Sequence, residues 1–385
     1  MPKVQRRRTI LAKIESTYGT DSVPTGNANA ILVTDLNVSP LAADIVDRNL
    51  IRNYMGSSDQ LIANARVECD FSVEMAGAGT AGSAPAYGPL LRACGLAETI
   101  LAAPVTGSAQ AGTVNTITLA AGASAVDNIY NGLLLSITSG TGSGQSGIVV
   151  AYNGTTKVAT FAAPLTTAPA AASGYSIGAG VTYKQISTSF ESVTIYCNID
   201  GTLHKLTGSR GNVEIGLSAK GIPAYKFKMV GVFNTVTDTA LPTTSYSSFQ
   251  TPVVANLANT SVFNFLGVSS LVLESFDFNA NNSVDFRALI GAEYVQITDR
   301  KVNGAVKFEA PALATLDIFS TARGNTTGNF AIIHGTVAGN RVAISSSKID
   351  VGMPSYEETQ GVVMLNVPVT FQPTLGDDDF SIAVF

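Results

Sequence analysis

"DRNLIRNY" at residues 47–54 is answered by "FRALIGAEY" at residues 286–294. Laid on itself at an offset of 239, the chain puts Arg48, Leu50 and Ile51 on Arg287, Leu289 and Ile290. The match runs without a gap. Between residues 32–69 and 271–308, Leu32, Val33, Asn64 and Val67 also meet identical residues, seven of 38 in all, where chance gives roughly two. A second block needs an offset of 138, which lays residues 194–233 on 332–371. There Ile195, Gly201, Ser209, Val213 and Phe233 are identical, and Phe227, Met229, Gly231 and Phe233 alternate in phase with Leu365, Val367, Val369 and Phe371. Period two is the mark of a strand with one buried face.

The offsets differ by 101, so the first copy carries about 101 residues that the second lacks. Their place is visible in the texture. "AGAGTAGSAPA" at 76–86 reads as a loop, and from about 101 the chain turns to short strands and hairpins such as "SGIVVAYNGTTKVATF". Asn153-Gly154 between alternating runs predicts a two-residue hairpin turn. The organisation expected is an N-terminal arm (1–30), a first domain (31–100 and 182–235), an inserted small all-β domain (101–181), a linker (236–266) and a second domain (267–385). A surface loop accepts such an insertion at modest entropic cost. One short helix is expected per copy, within "YGPLLRACGL" (87–96) and "APALATLDIFSTARG" (310–324). Leu90, Leu91 and Cys94 share one helical face, as do Leu313, Leu316 and Phe319.

Composition agrees with a mainly β chain. Of 385 residues 13% are charged and 45% hydrophobic, with 36 Gly and no Trp; turn-rich sheets carry few long surface helices. So little charge on a soluble protein points to surface covered by other chains. A net charge of −5 argues against gripping nucleic acid through its phosphates. Cys69, Cys94 and Cys197 stand at no metal-binding spacing and read as buried thiols. "MPKVQRRRTILAKIE" lacks the apolar core of a signal peptide, and no apolar stretch reaches membrane-spanning length.

No motif reads as a catalytic centre. "GSGQSG" (142–147) matches G-x-G-x-x-G but runs into the strand "IVVAY", where a dinucleotide site needs a helix. His204 and His334 do not fall on each other at offset 138. "GDDDF" (376–380) reads as a solvated acidic turn, because consecutive residues on an extended chain point to opposite sides. No catalytic residue, metal ligand or cofactor is expected.

The "LVTDLNVSP…DIVDRNLIRNYMG…NARVECDFSVEM" segment, on a β-rich, Trp-free chain with a basic start at Arg6, Arg7 and Arg8, resembles the opening of the tail tube proteins (major tail proteins) of long-tailed bacteriophages: a strand, a long loop, and a strand returning into the sheet. The inserted segment is similar to small β modules that recur in phage virion proteins. The resemblance implies two tandem tail-tube-type β-sandwich or barrel domains, each with one short helix, plus the insert. It also implies a structural, non-enzymatic virion protein of the long non-contractile kind. Single-copy members form sixfold rings that stack into a tube, so a fused pair implies homotrimeric rings of pseudo-sixfold symmetry. The implied contacts between rings come from the arm (Arg6, Arg7, Arg8, Ile10, Leu11, Ile14) and from loops 44–66 and 283–303 (Arg48, Leu50, Ile51, Arg287, Leu289, Ile290). Implied partners are further copies of the chain and the tail tape-measure, terminator and distal-tail proteins. Double-stranded DNA passes through the lumen without specific binding. Assembly in the host cytoplasm and residence in the virion tail follow. The alternative is another virion or surface β-protein, a capsid decoration protein or a carbohydrate-binding adhesin.

Overall fold

The computed structural model describes residues 3–385. Met1 and Pro2, the first residues of the expected arm, lie outside the described residues. Strands take 49% of the chain and helices 4%, so the chain is mainly β. The first elements are β1 (Arg8–Ile14), the single-turn α1 (Gly26–Asn29), β2 (Ala30–Ile31), β3 (Thr34–Asp47), β4 (Gln60–Glu74), α2 (Gly88–Ala93) and β5 (Leu96–Leu101). Then come β6 (Val105–Ser108), β7 (Ala111–Gly112), β8 (Thr116–Thr118), β9 (Leu134–Ser139), β10 (Ser146–Asn153), β11 (Val158–Phe161) and β12 (Gly174–Ile177). They are followed by β13 (Gly180–Gln185), β14 (Val193–Ile199), β15 (Thr202–Ser218), β16 (Ala224–Phe233), β17 (Thr237–Asp238) and β18 (Val262–Phe265). The remainder is β19 (Leu273–Asn279), β20 (Asn282–Leu289), β21 (Ala292–Arg300), β22 (Asn303–Glu309), α3 (Ile318–Arg323), β23 (Gly328–His334), β24 (Val342–Val351), β25 (Ser355–Thr359), β26 (Val362–Phe371) and β27 (Ser381–Val384).

The large sheet contains two antiparallel runs. One is β1–β14–β15–β16–β4–β3. The other is β18–β23–β24–β26–β22–β19. Position by position, the chain visits the two runs in the same order. α2 lies between β4 and β14, and α3 between β22 and β23. After β16 and β26 the chain returns in each case to the long strand of its run, as β17 beside β15 and β27 beside β24. The runs meet where β19 pairs with the second half of β15.

The buried face of these strands is apolar at every second residue. Val67, Cys69, Phe71 and Val73 of β4 face the core with Tyr225, Phe227 and Met229 of β16. Val306 and Phe308 do the same with Leu365, Val367 and Val369 in the second run. Leu36 and Val38 face that core in β3, and Phe276 and Phe278 in β19. The constant spacing of 239 therefore sets these two strands one residue out of phase. β3 carries register shifts after Thr34, Ser39 and Ala42, and β19 carries one after Leu273. A bulge adds a residue that sequence counting cannot see.

β6–β12 form a separate seven-stranded sheet. Its core does not close on itself: Ile333, Ala343, Ala383 and Phe385 from the second run pack into it. β5 and β13, which flank it in sequence, pair with each other, and β13 pairs with β27.

Several local expectations change. β11 starts at Val158, opposite Asn153, so the Asn153-Gly154 turn is four residues long. Asn153 Oδ1 accepts from the Thr155 and Thr156 amides at 3.0 and 2.8 Å, which favours the wider turn. α3 starts at Ile318 because Asp317 caps it, accepting from Ser320 N at 3.0 Å. Leu313 is therefore outside the helix and exposed. Residues 262–265, in the stretch read as a linker, form β18. The "GDDDF" turn is solvated only at its start: Gly376 is exposed, whereas Asp378, Asp379 and Phe380 are buried. Asp378 accepts from the Thr374 and Gly376 amides at 2.8 and 3.2 Å, and Arg300 pairs with Asp377 and Asp379.

Candidate assembly surfaces

Among the described residues no three or more His, Cys, Asp or Glu side chains gather as a metal site. His334 is buried and spent on structure, with Nδ1 3.0 Å from Thr260 Oγ1 and Nε2 3.0 Å from the Val253 carbonyl. What the fold offers is surface.

The arm expected to reach out is tied in. β1 lies between β14 and β2. Ile10 and Leu11, expected among the contacts between chains, are 0% and 3% exposed within their own chain. Ile10, Ala12 and Ile14 keep the period of a strand, and burying Ile10 in the chain's own core removes apolar surface at once. The strand is pinned at its end by Glu15. Its buried carboxylate accepts from Gly19 N (2.8 Å), Ser192 Oγ (2.7 Å), Thr194 Oγ1 (2.8 Å) and Gly208 N (2.8 Å). Ile14 is half-buried. Of the arginines, Arg6 is exposed. Arg7 pairs with Asp200 at 2.8 Å, and Arg8 Nη1 donates to the Leu36 carbonyl at 2.7 Å.

The two expected loops are largely strand. Residues 44–47 and 60–63 continue the β3–β4 hairpin, leaving 48–59 as its tip. Residues 282–300 are the β20–β21 hairpin. The matched residues stand at the two tips. Ile51 and Ile290 are fully exposed, and Leu50 and Leu289 about half exposed. Arg48 pairs inside its own chain, Nη1 to Asp59 Oδ2 at 2.9 Å, with both side chains open to solvent. Arg287 lies over the Tyr294 ring at 5.9 Å. Each arginine thus has a partner on its own hairpin, and an exposed pair of this kind contributes little.

The β3–β4 hairpin carries a feature the matched residues did not reveal. Ile45 faces Ile62 and Val46 faces Leu61 across the ladder, and all four are exposed. Neighbouring residues on a strand point to opposite faces, so both faces of this arm are apolar. Tyr54 and Met55 extend the patch. Contiguous exposed apolar surface of this kind marks an interaction site. Its signal in the sequence is the loss of alternation in "DIVD" and "QLIA", a pattern proper to strands covered on both sides.

The eight strands β3, β4, β16, β15, β19, β22, β26 and β25 form one continuous ribbon. Its face away from the core is polar. It bears Glu68, Asp70, Glu74, Glu214 and Asp277, with Lys226, Lys228 and Lys307 among them. Lys228 stands 3.8 Å from Glu214, and Lys307 lies 3.2 Å from Glu274 and 2.9 Å from Glu357. Lys228 and Lys307 are engaged by carboxylates, and the carboxylates outnumber the lysines of this face.

A family model described as phage tail tube protein matches residues 5–373. None of the curated proteins matches the chain.

Proposed function

The chain belongs to the phage tail tube protein family, and from that premise we propose that it is a duplicated tube subunit whose rings hold three chains. It is a structural component of the virion tail. One observation carries the finer reading: the two runs of strands repeat the same pairing order, with a helix at the same point in each. Two such units per chain supply six wedges from three chains. Closing the ribbon into a ring removes its free edges.

The boundaries expected from the sequence serve this reading: residues 31–100 with 182–235 as one wedge, 267–385 as the other, and 101–181 as a module carried by the first. Supporting it, α3 and β23 are joined by four residues, whereas α2 and β14 are separated by the whole β5–β13 segment. The apolar hairpin tips at Leu50, Ile51, Leu289 and Ile290 are assigned to stacking between rings, and Arg48 and Arg287 to shaping those tips. The polar face of the ribbon lines the passage. Its excess carboxylate repels DNA phosphates over a Debye length of roughly 8 Å at physiological salt, so the genome slides through without binding. Tape-measure, terminator and distal-tail proteins complete the tail, assembled in the host cytoplasm.

Electron microscopy of the purified protein tests the reading. Stacked rings with an open lumen are expected; discrete monomers at every concentration and salt would overturn it.

A further inference from the structure

Lys184 of β13 reaches from the main sheet to the inserted module and ends against Asn128, in the loop between β8 and β9, where its Nζ donates to the Asn128 carbonyl. The Asn128 side chain is buried and held at both polar atoms. Oδ1 accepts from the Tyr152 amide at 3.1 Å, and Nδ2 donates to Asp378 Oδ2 at 3.1 Å. Its backbone amide donates to the Tyr152 carbonyl at 2.8 Å. Asp378 is buried too, on the turn that leads into β27, the strand beside β13. Three segments far apart in sequence thus bring an amine, a primary carboxamide and a carboxylate to one spot. Burial pushes the Lys184 ammonium down to about 8, against the pull of Asp378. The other polar groups around it are engaged elsewhere. Asp377 and Asp379 pair with Arg300, Asp127 accepts from the Gly154 amide at 2.6 Å, and the Tyr152 hydroxyl donates to the Ser124 carbonyl at 2.7 Å. A desolvated lysine that gives up its proton is a nucleophile.

We propose that Lys184 and Asn128 become joined by an isopeptide bond between Nζ and Cγ, with Asp378 carrying the proton. The neutral amine attacks Cγ. The Nζ–Cγ bond forms and the Cγ–Nδ2 bond breaks. One Nζ hydrogen passes by way of Asp378 to Nδ2, which leaves as ammonia. No other reactant is consumed, and the linked chain is lighter by one ammonia. The Tyr152 amide is aimed at Oδ1, where negative charge develops during the attack, and a fixed donor there stabilises it. Asp378 Oδ2 already touches the leaving nitrogen, the place a proton carrier must occupy. A cleft of about 540 Å³, lined by Asn128, Tyr152, Leu375 and Asp378 among others, opens beside them and gives the ammonia a way out. The linkage follows folding, because only the folded chain assembles the three groups, and until it occurs Lys184 titrates as a free amine. Once made, it ties the inserted module to the main sheet within one chain, whatever the number of chains in a ring.

Mass spectrometry of the folded chain, purified near about pH 6 and then held near about pH 9, tests the proposal. Trypsin cuts after unmodified lysine, so the unlinked chain gives separate peptides 93–157, 158–184 and 185–205. The linked chain is expected to give one branched species, 93–157 joined to 158–205 through uncut Lys184 and lighter by one ammonia. It should accumulate at the higher pH, where the amine is neutral. Lys184→Arg, which keeps the charge and lacks the amine, should give none, and neither should the native chain held in denaturant. Asp378→Asn is expected to slow the linkage about a hundredfold in the folded fraction. Linear peptides throughout, after long incubation of the folded native chain, would overturn the proposal. So would an ammonia loss that maps elsewhere, such as to Asn153-Gly154, or a branched species that forms as readily in denaturant. An unchanged rate in folded Asp378→Asn would overturn the role given to that carboxylate.

Discussion

Two buried charges carry opposite expectations at the scale of the residue. Glu15 holds four donors that no other group serves. Glu15→Ala leaves Ser192 Oγ, Thr194 Oγ1 and the Gly208 amide without a partner in a buried site, while exposed Gly19 turns to water, so the folded chain is expected to lose roughly 2–4 kcal/mol. The shift in denaturant midpoint measures it against Lys13→Ala, exposed on the same strand, which should change little. A cost for Glu15→Ala no larger than for Lys13→Ala would show that the arm is not anchored there. Lys184 differs. It joins the main sheet to the inserted module, donating to the Asn128 carbonyl. Burial pushes its ammonium down to about 8, against the opposing pull of Asp378. Below that pH both folded and unfolded chains hold the proton, and the folded state bears the full cost of burying it. Between about 8 and the ordinary lysine value the unfolded chain still holds the proton and the folded chain does not. Stability therefore rises with pH through that window, on the order of 1–3 kcal/mol. Lys184→Met should be flat over the same range in thermal or denaturant melts, and a parallel rise in both proteins would contradict the account.

The hairpins matter most at the scale of the element. Ile51 and Ile290 protrude at matched tips and contribute nothing to the core of their own chain. Ile51→Ser with Ile290→Ser is therefore expected to shift the melting of unassembled protein by less than about 0.5 kcal/mol while lowering tube yield by sedimentation several-fold. Unchanged yield would remove the tips from the stacking contact. These tips were legible in the sequence because a repeat marks positions used twice. The strands beneath them were legible through alternation, as in "YKFKMVG" and "LNVPVTF". The β3–β4 extension was not, because Ile45-Val46 and Leu61-Ile62 break the alternation that identifies a half-buried strand. β1 reads as an arm because three arginines stand at its start, although Ile10, Ala12 and Ile14 keep strand spacing. Its partners in β14 lie 179 to 191 residues away, and sequence-local reasoning does not see such pairings. The phase between β3 and β19 was missed for the same kind of reason, since bulges are set by packing.

For the whole molecule, one ribbon of eight strands has an apolar face against its own core and two open edges of different kinds. The family membership gives it a tube to build, and the repeated strand order is what the proposed three-chain ring rests on. The β6–β12 sheet packs on β23, β24 and β27, and the chain carries it once. The count of chains in a single ring tests this account most directly. Native mass spectrometry of rings released from tubes, with each chain at 39.8 kDa, is predicted to give three chains per ring, and averaged end-on images of the same rings six similar wedges. Six complete chains in one ring would contradict it.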